Sequence, residues 1–230
     1  MQDTDSKFAF AAPIRHIAWD WNGTLFDDAA LCLDVFNNML QRRGLPALTM
    51  ARYLHTFGFP VENFYRAAGV DLARESFAEV GTEFILEYER RRLESGLHPH
   101  ATELLDAIYR AGIRQSVLSA YKHETLETLL AHFGVRHYFD DVIGNDDHYA
   151  AGKLDKGRAW AASTGYAPKE ILMIGDTEHD YEVARAMGAQ CALVAAGNQH
   201  RDRLGACGVP VFESLRELHA AMEKCLMANG

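Results

Sequence analysis

The sequence predicts an α/β protein built on a doubly wound parallel sheet. Short apolar runs recur along the chain, and they have the length of strands that are buried on both faces. Amphipathic helical patterns separate these runs, and from residue 99 onward helix and strand alternate. This alternation is typical of parallel strands that are joined by crossover helices on the faces of one sheet.

Six apolar runs carry the strand prediction. They are IRHIAWD (14–20), IRQSVLS (113–119), DVIG (141–144), EILMIGD (170–176), CALVA (191–195) and VPVF (209–212). Five amphipathic patterns each end at a glycine, as expected where a left-handed residue closes a helix. These glycines are Gly44, Gly112, Gly134, Gly165 and Gly188.

The interval 27–97 breaks this rhythm. It contains helical patterns, including a long one around Phe77 to Tyr88, and no convincing strand. The sequence therefore predicts an all-helical insert after the first strand.

Composition and charge restrict the function classes. The 230 residues are 48% hydrophobic and 24% charged, which is typical of a globular protein with one large domain or a core plus an insert. The formal net charge of −9 argues against nonspecific nucleic-acid or anionic-membrane partners. The four cysteines show no paired spacing and the first residues are acidic, so we expect reduced thiols, no signal peptide and a cytoplasmic location.

Polar residues end three of the predicted strands, namely Asp20, Ser119 and Asp176, and Lys153 follows the short third strand. Open α/β sheets bind ligands at the carboxyl ends of their strands. Each residue alone is also consistent with a local role, because Asp and Ser often cap the following turn. The convergence of all four on one sheet edge predicts a ligand site.

The same residues resemble the motifs of the haloacid dehalogenase superfamily. DWNGTL at 20–25 resembles the first motif, Ser119 the second, Lys153 the third, and GDTEHD at 175–180 the fourth. The resemblance extends over residues 14–220 and is to the phosphoglycolate phosphatase-like subgroup. It implies a Rossmann-like core at 1–26 and 98–230, with a helical cap at 27–97.

The resemblance implies a Mg²⁺-dependent phosphohydrolase. Asp20 would attack phosphorus and form an aspartyl-phosphate, which splits hydrolysis into two easier steps. Mg²⁺ would be bound by Asp20, Asp176 and the backbone carbonyl of Asn22, which together form an all-oxygen site. Asp180, one helical turn after Asp176, would contact the ion through water.

Four further residues are expected to bind the phosphate group of the substrate. Lys153 would offset the repulsion between the carboxylates and the phosphate, and Ser119 would donate a hydrogen bond to a phosphoryl oxygen. The N–H groups of Gly23 and Thr24 would point at the same phosphate. The implied substrate is a small phosphorylated metabolite that resembles phosphoglycolate or a sugar phosphate.

Asn22 departs from the superfamily pattern. Phosphatases of this superfamily usually carry Asp at this position, where it protonates the leaving oxygen and then deprotonates the attacking water. Such general acid–base help is typically worth about 10²–10⁴-fold in rate. Three alternatives follow: a phosphatase with slow or rescued proton transfer, a different reaction, or a noncatalytic phosphometabolite-binding protein.

Two different reactions are disfavoured by the sequence. Relatives that cleave carbon–halogen bonds do not need Mg²⁺, whereas the acids of GDTEHD are intact here. Relatives that cleave phosphonates use a cap lysine, and residues 26–97 contain none. Phosphate-ester hydrolysis therefore leads despite Asn22.

Overall fold

The computed structural model describes residues 13–145 and 152–229. The strands in chain order are β1 (His16–Trp19), β2 (Phe26–Asp27), β3 (Gly96–Leu97), β4 (Arg114–Lys122), β5 (Asp141–Asn145), β6 (Ile171–Gly175), β7 (Gln190–Val194) and β8 (Val211–Phe212). The helices are α1 (Ala29–Arg42), α2 (Met50–Thr56), α3 (Val61–Ala67), α4 (Phe77–Arg91), α5 (Ala101–Arg110), α6 (His123–His132), α7 (Lys153–Ser163), α8 (Glu178–Met187), α9 (Arg201–Gly205) and α10 (Leu215–Asn229).

The six predicted strands form one parallel sheet in the described part of the chain, in the order β5-β4-β1-β6-β7-β8. The chain runs outward from β1 through β4 and β5, then returns to the other side of β1 to form β6. The strand order therefore reverses between β1 and β6, which is the position where open α/β sheets bind ligands. The predicted doubly wound fold is confirmed.

Both faces of the sheet are buried. Along β1, Ile17 and Trp19 belong to one apolar cluster, which also contains residues of α5, α6 and α10. Ala18 belongs to the cluster on the opposite face, with residues of α7 and α8. Successive side chains of a strand point to opposite faces, so burial on both sides produces the uninterrupted apolar runs in the sequence.

The predicted helix ends are confirmed. Each of the five glycines takes a left-handed conformation, with φ between 68° and 75°. The glycine at each end can adopt this conformation without the penalty that a Cβ atom brings.

Residues between β2 and β3 form α1–α4, which bury an apolar cluster of their own that includes Val35, Phe36, Phe64 and Val80. The prediction that residues 27–97 contain no strand is wrong at the two ends of this interval. There, Phe26–Asp27 pairs antiparallel with Gly96–Leu97. A strand of two residues is too short to show the alternation on which the sequence prediction depends.

None of the helices in residues 13–145 and 152–229 combines the length and the apolar character that crossing a bilayer requires. The prediction about a signal peptide concerns residues 1–12, which lie outside the described residues.

Candidate active site

Asp20 lies where β1 ends, at the point of strand-order reversal. Its backbone N–H donates to the carbonyl of Ile174 in β6 (2.8 Å), so the sheet ladder extends to the residue itself. The side chain is only 9% exposed. The carboxylate is therefore held by a strand in the interior of the sheet, and this fixes its position more firmly than a loop could.

Lys153 is the first residue of α7, and its ammonium group joins two carboxylates. Its Nζ lies 2.5 Å from Oδ1 of Asp20 and 2.5 Å from Oδ1 of Asp180. Burial alone lowers the pKa of Lys153, but the charges of Asp180 and Asp20 outweigh that effect and raise it. Lys153 thus stays protonated and brings a fixed positive charge beside Asp20.

Asp176 follows β6 directly and is fully buried. Its Oδ1 accepts from the hydroxyl of Thr24 (3.1 Å), and its Oδ2 accepts from the backbone N–H (2.6 Å) and side-chain amide (3.1 Å) of Asn198. The Thr24 hydroxyl also lies 3.5 Å from Oδ2 of Asp20. Because a hydroxyl has one proton, Thr24 donates to the nearer carboxylate, that of Asp176, and places it beside Asp20.

Asp180 lies in the first turn of α8, where it forms a capping box with Thr177. Its Oδ2 accepts from the Thr177 hydroxyl (2.7 Å) and from the backbone N–H groups of Thr177 (3.0 Å) and Asp176 (3.2 Å). Although burial raises the pKa of Asp180, the charge and hydrogen bond of Lys153 lower it overall. Asp180 is thereby an ionised anchor for Lys153 as well as a neighbour of Asp176.

Together these acids form a compact anionic cluster. Carboxylate oxygens of Asp20, Asp176 and Asp180 all lie within 4.8 Å of one another. Burial, reinforced by the charge of Asp180, raises the pKa of Asp20 to about 7 even though Lys153 opposes the shift. Burial and the charges of Asp20 and Asp180 raise the pKa of Asp176 well above its usual value. One ammonium group does not neutralise three buried carboxylates, so the donor set fits a hard divalent cation.

The turn after Asp20 uses its own N–H groups internally. The N–H of Gly23 donates to the carbonyl of Phe26 (2.8 Å) and to Oδ1 of Asp28 (2.9 Å), and the N–H of Thr24 donates to the carbonyl of Trp21 (3.2 Å). This corrects the prediction that both groups point at a phosphate, because each already has an acceptor within the turn.

Gly23 is needed for a different reason. Its φ is +76°, and a Cβ atom at this position would lie 2.2 Å from Oδ2 of Asp176 and 2.3 Å from Nδ2 of Asn198. Only a residue without a side chain lets the first-motif turn approach Asp176 this closely.

The sequence predicted that Ser119 ends its strand, but Ser119 lies within β4, three residues before the strand ends at Lys122. The pairing of β4 with β5 is irregular between Leu118 and Lys122 and then resumes, so the strand continues past Ser119. Oγ of Ser119 accepts from the N–H of Tyr121 (3.2 Å), and the hydroxyl keeps its own proton as a donor. Ser119 lines the same cavity as Asp20, Lys153 and Asp176.

Asn22 belongs to a hydrogen-bonded triad with two residues that the sequence analysis did not identify. Its Nδ2 donates to Oδ2 of Asp28 (2.7 Å) and to the hydroxyl of Tyr88 (2.8 Å), and that hydroxyl donates to the same Oδ2 (2.6 Å). Burial raises the pKa of Asp28, whereas the hydrogen bonds from Tyr88, Asn22 and Gly23 oppose the shift. A side-chain amide carries two N–H groups, and both are occupied here.

Asn198 and Tyr53 are two further residues that sequence reasoning missed. Asn198 is 5% exposed, and its Oδ1 accepts from the hydroxyl of Tyr53 in α2 (2.9 Å). The loop after β7 makes a second contact with the insert, since Gln199 donates to the carbonyl of Phe57 (2.9 Å). The acidic cluster is therefore connected to α2 through Asn198.

A cavity of about 780 Å³ opens between the sheet edge and the helices of the insert. Its floor is polar and is formed by Asp20, Asn22, Ser119, Lys153 and Asp176. Most of the remaining wall comes from apolar side chains of α1–α4 and of the segment between α2 and α3. The structure thus brings the predicted floor residues to one cavity.

Comparison with known proteins gives a family match over most of the chain. Residues 17–194 match the family described as haloacid dehalogenase-like hydrolase. The solved structure of a haloacid dehalogenase-like family hydrolase from Streptococcus pneumoniae superposes with a TM-score of 0.78 at 20% identity, covering 92% of this chain and 99% of that one. At this identity the likeness shows a shared fold.

Two curated relatives carry different names. Tyrosine-protein kinase PtkA of Mycobacterium tuberculosis is 28% identical over 192 residues, which cover 81% of this chain and 64% of PtkA. The chain therefore spans less than two thirds of the length of PtkA. The phosphoglycolate phosphatase of Nitrosococcus oceani is 29% identical over 191 residues, which cover 79% of this chain and 84% of that protein.

Proposed function

Because the chain belongs to the haloacid dehalogenase-like hydrolases, we propose that it is a Mg²⁺-dependent phosphatase that acts through Asp20. The observation that carries this proposal is the ion pair of Asp20 with Lys153, placed beside Asp176 and Ser119 in one cavity. The relative named phosphoglycolate phosphatase supports a small phosphorylated metabolite as substrate. The cytoplasmic location and the absence of nucleic-acid and membrane partners stay predictions from the sequence.

In the proposed reaction a carboxylate oxygen of Asp20 forms a bond to phosphorus while the bond from phosphorus to the leaving oxygen breaks. Lys153, already 2.5 Å from Asp20, offsets the negative charge of the incoming phosphate. The Ser119 hydroxyl donates to a phosphoryl oxygen. Water then attacks the phosphorus of the aspartyl-phosphate, which frees inorganic phosphate and restores Asp20.

We propose that Asp20, Asp176 and the backbone carbonyl of Asn22 hold the Mg²⁺ ion. When bound, the ion neutralises charge that develops on the phosphoryl oxygens. Asp180 acts mainly by keeping Lys153 and the backbone of Asp176 in position, since its oxygens already accept from both. Thr24 holds Asp176 in position beside Asp20 through its hydroxyl.

Residues 27–97 act as the cap in this proposal, with Tyr53 and Tyr88 as its contacts with the floor of the site. Tyr53 reaches Asp176 through Asn198, and Tyr88 reaches Asn22 directly. Helices that cover the floor exclude water from the reacting phosphate.

The second candidate is a protein that binds phosphorylated metabolites without turning them over. It is favoured by Asn22, which cannot exchange a proton and whose N–H groups are both bound to Asp28 and Tyr88. The two candidates differ in turnover alone, because both require the same binding cavity.

The test is hydrolysis of phenyl phosphate by the purified chain with Mg²⁺, with a chelator, and in the Asp20→Asn variant. We expect phosphate release that stops with the chelator and falls at least 10³-fold in the variant, which keeps the size of the side chain but loses its nucleophilic charge. Asp176→Ala should shift the Mg²⁺ titration of activity to higher concentration. Equal phosphate release by the wild type and Asp20→Asn would refute the proposed nucleophile, and no release at all would favour the binding protein.

A further inference from the structure

We infer that the phosphatase proposed above acts on phosphorylated phenols, that is, on phosphate esters with an aromatic leaving group. The inference rests on the proposed function and names the substrate class of the same site. It replaces the phosphoglycolate- or sugar-phosphate-like substrate that the resemblance implied. Two independent features of the site lead to it.

The first feature is the chemistry of the cavity wall. Above the polar floor, the insert contributes aromatic side chains that include Phe57, Phe59, Phe64, Phe77, Phe84 and Tyr88. Several lie against one another, as Phe57 does against Phe64 with ring centroids 5.5 Å apart. An aromatic ring entering this space gains apolar burial and ring contacts, whereas sugar hydroxyls would lose water without enough partners.

The charges of the wall point the same way. Among the described lining residues, Lys153 is the only lysine or arginine, and it is already paired with Asp20 and Asp180. Apart from Asp20 and Asp176, the acids that line the cavity are Asp28, Glu62, Asp180 and Glu182, and one histidine, His179, lines it as well. The carboxylate of phosphoglycolate would therefore meet apolar surface and negative charge. A substrate whose only anionic group is the phosphate avoids both costs.

The second feature is the state of Asn22. Both of its N–H groups are bound to Asp28 and Tyr88, so the side chain can neither protonate the leaving oxygen nor donate a hydrogen bond to it. A phenol has a pKa of about 10, whereas the pKa of an alkanol is far higher and resembles that of water. A phenolate therefore leaves without the proton that an alkoxide requires. The site lacks a general acid at residue 22, and aromatic esters need a general acid less than alkyl esters do.

The experiment compares three substrates with the full chain and Mg²⁺. Phenyl phosphate and cyclohexyl phosphate both carry a six-carbon ring of similar size but differ in the leaving group, and phosphoglycolate is small and carries a carboxylate besides its phosphate. We expect the KM of cyclohexyl phosphate to exceed that of phenyl phosphate by no more than about tenfold, the value of the lost ring contacts, and both to lie below that of phosphoglycolate. The kcat for cyclohexyl phosphate should be lower than that for phenyl phosphate by at least 10²-fold.

Variants isolate the contribution of the wall from the intrinsic reactivity of the esters. Phe84→Ala should raise the KM for phenyl phosphate about three- to tenfold, the value of one lost ring contact, and leave that for phosphoglycolate nearly unchanged. Phe84→Leu, which keeps an apolar side chain, should have a smaller effect. Leu93, 57% exposed and outside the cavity, provides the matched control, and Leu93→Ala should change neither value.

Inhibition of the wild type avoids any effect of the variants on folding. Benzylphosphonate and 3-phosphonopropanoate are the non-hydrolysable counterparts of phenyl phosphate and phosphoglycolate, and the first should bind at least tenfold more tightly. A higher kcat/KM for phosphoglycolate than for phenyl phosphate, or tighter binding of 3-phosphonopropanoate, overturns the aromatic specificity and leaves the proposed phosphatase intact. Hydrolysis of none of the three substrates overturns the proposed function as well.

Discussion

The triad of Asn22, Asp28 and Tyr88 predicts that restoring the usual superfamily residue at position 22 destabilises this protein. Asn22→Asp replaces a donor with a carboxylate oxygen at the position that now lies 2.7 Å from Oδ2 of Asp28. Asp28 is fully buried and Asn22 is partly buried, so solvent screens the new contact only weakly. The Tyr88 hydroxyl can donate to only one of the two carboxylates.

The size of the effect follows from the geometry. Two unit charges about 4 Å apart, at an effective dielectric constant of about 20, repel by about 4 kcal/mol. Sharing one proton between the carboxyl groups reduces this repulsion, as in other close carboxylate pairs. We therefore expect the free energy of unfolding to fall by about 2–4 kcal/mol, or the unfolding temperature by roughly 5–15 °C for a chain of this size.

The matched variant combines Asn22→Asp with Asp28→Asn, which exchanges the amide and the carboxylate within the same triad. It should recover most of the stability, because one donor again faces one acceptor. It also places a carboxyl group where superfamily phosphatases carry their general acid, so turnover of cyclohexyl phosphate should rise by up to about 10²–10⁴-fold.

The assays are urea unfolding and steady-state kinetics with cyclohexyl and phenyl phosphate. A single variant that is as stable as the wild type would refute the electrostatic reasoning, as would a double variant no more stable than the single one. A double variant that is stable but gains no alkyl turnover would show that a group other than residue 22 already moves the proton.

Three further predictions concern separate parts of the fold. Gly23→Ala should weaken Mg²⁺ activation at least tenfold, because its Cβ would lie 2.2 Å from Oδ2 of Asp176. Gly44→Ala is the control: it has the same backbone strain, but its Cβ would meet no atom within 4 Å, so activation should stay unchanged. Lys153→Met leaves the buried Asp20 and Asp180 without their cation and should lower the free energy of unfolding in urea by about 3–5 kcal/mol. An unchanged urea midpoint of unfolding would contradict this. Burial lowers the pKa of His16 from 6.5 to about 4, so its contribution to stability is complete above pH 6.5 and is lost as the pH falls toward 4, in total about 3 kcal/mol. The dependence of unfolding free energy on pH in this window should be shallower in His16→Asn, and equal slopes would refute the assignment.

The fold could be predicted from the sequence wherever strands and helices follow a regular pattern of apolar residues. Strands buried on both faces are uninterrupted apolar runs, and helices that close at glycine end where the backbone becomes left-handed, so both kinds of element could be located. The strand pair of β2 and β3 could not be located, because a strand of two residues is too short to show an alternating pattern. Ser119 was assigned to the end of its strand because it interrupts the apolar run after Leu118, although the backbone pairing continues to Lys122.

The floor of the site was predictable for the same reason, since residues at the carboxyl ends of neighbouring parallel strands meet at one edge. Tyr88 and Asn198 were not, because each reaches the site through tertiary contacts far from the motifs. Tyr88 carried only the signal of an apolar helix face, which is also correct, since its ring is buried. Asp28 offered a local signal that was missed: it is a second acid directly after Asp27, just where α1 begins.

The pairing of β2 with β3 has a consequence for how this chain can be altered. Asp27 and Gly96 are partners across an antiparallel ladder, so their Cα atoms are about 5 Å apart. A tight turn of a few residues can bridge that distance, so residues 28–95 can be replaced without moving Asp27 or Gly96, although the contacts of Asp28, Tyr53 and Tyr88 with the floor of the site are then lost. A change confined to this segment therefore alters what covers the sheet and leaves the pairing of the six parallel strands beneath it unchanged.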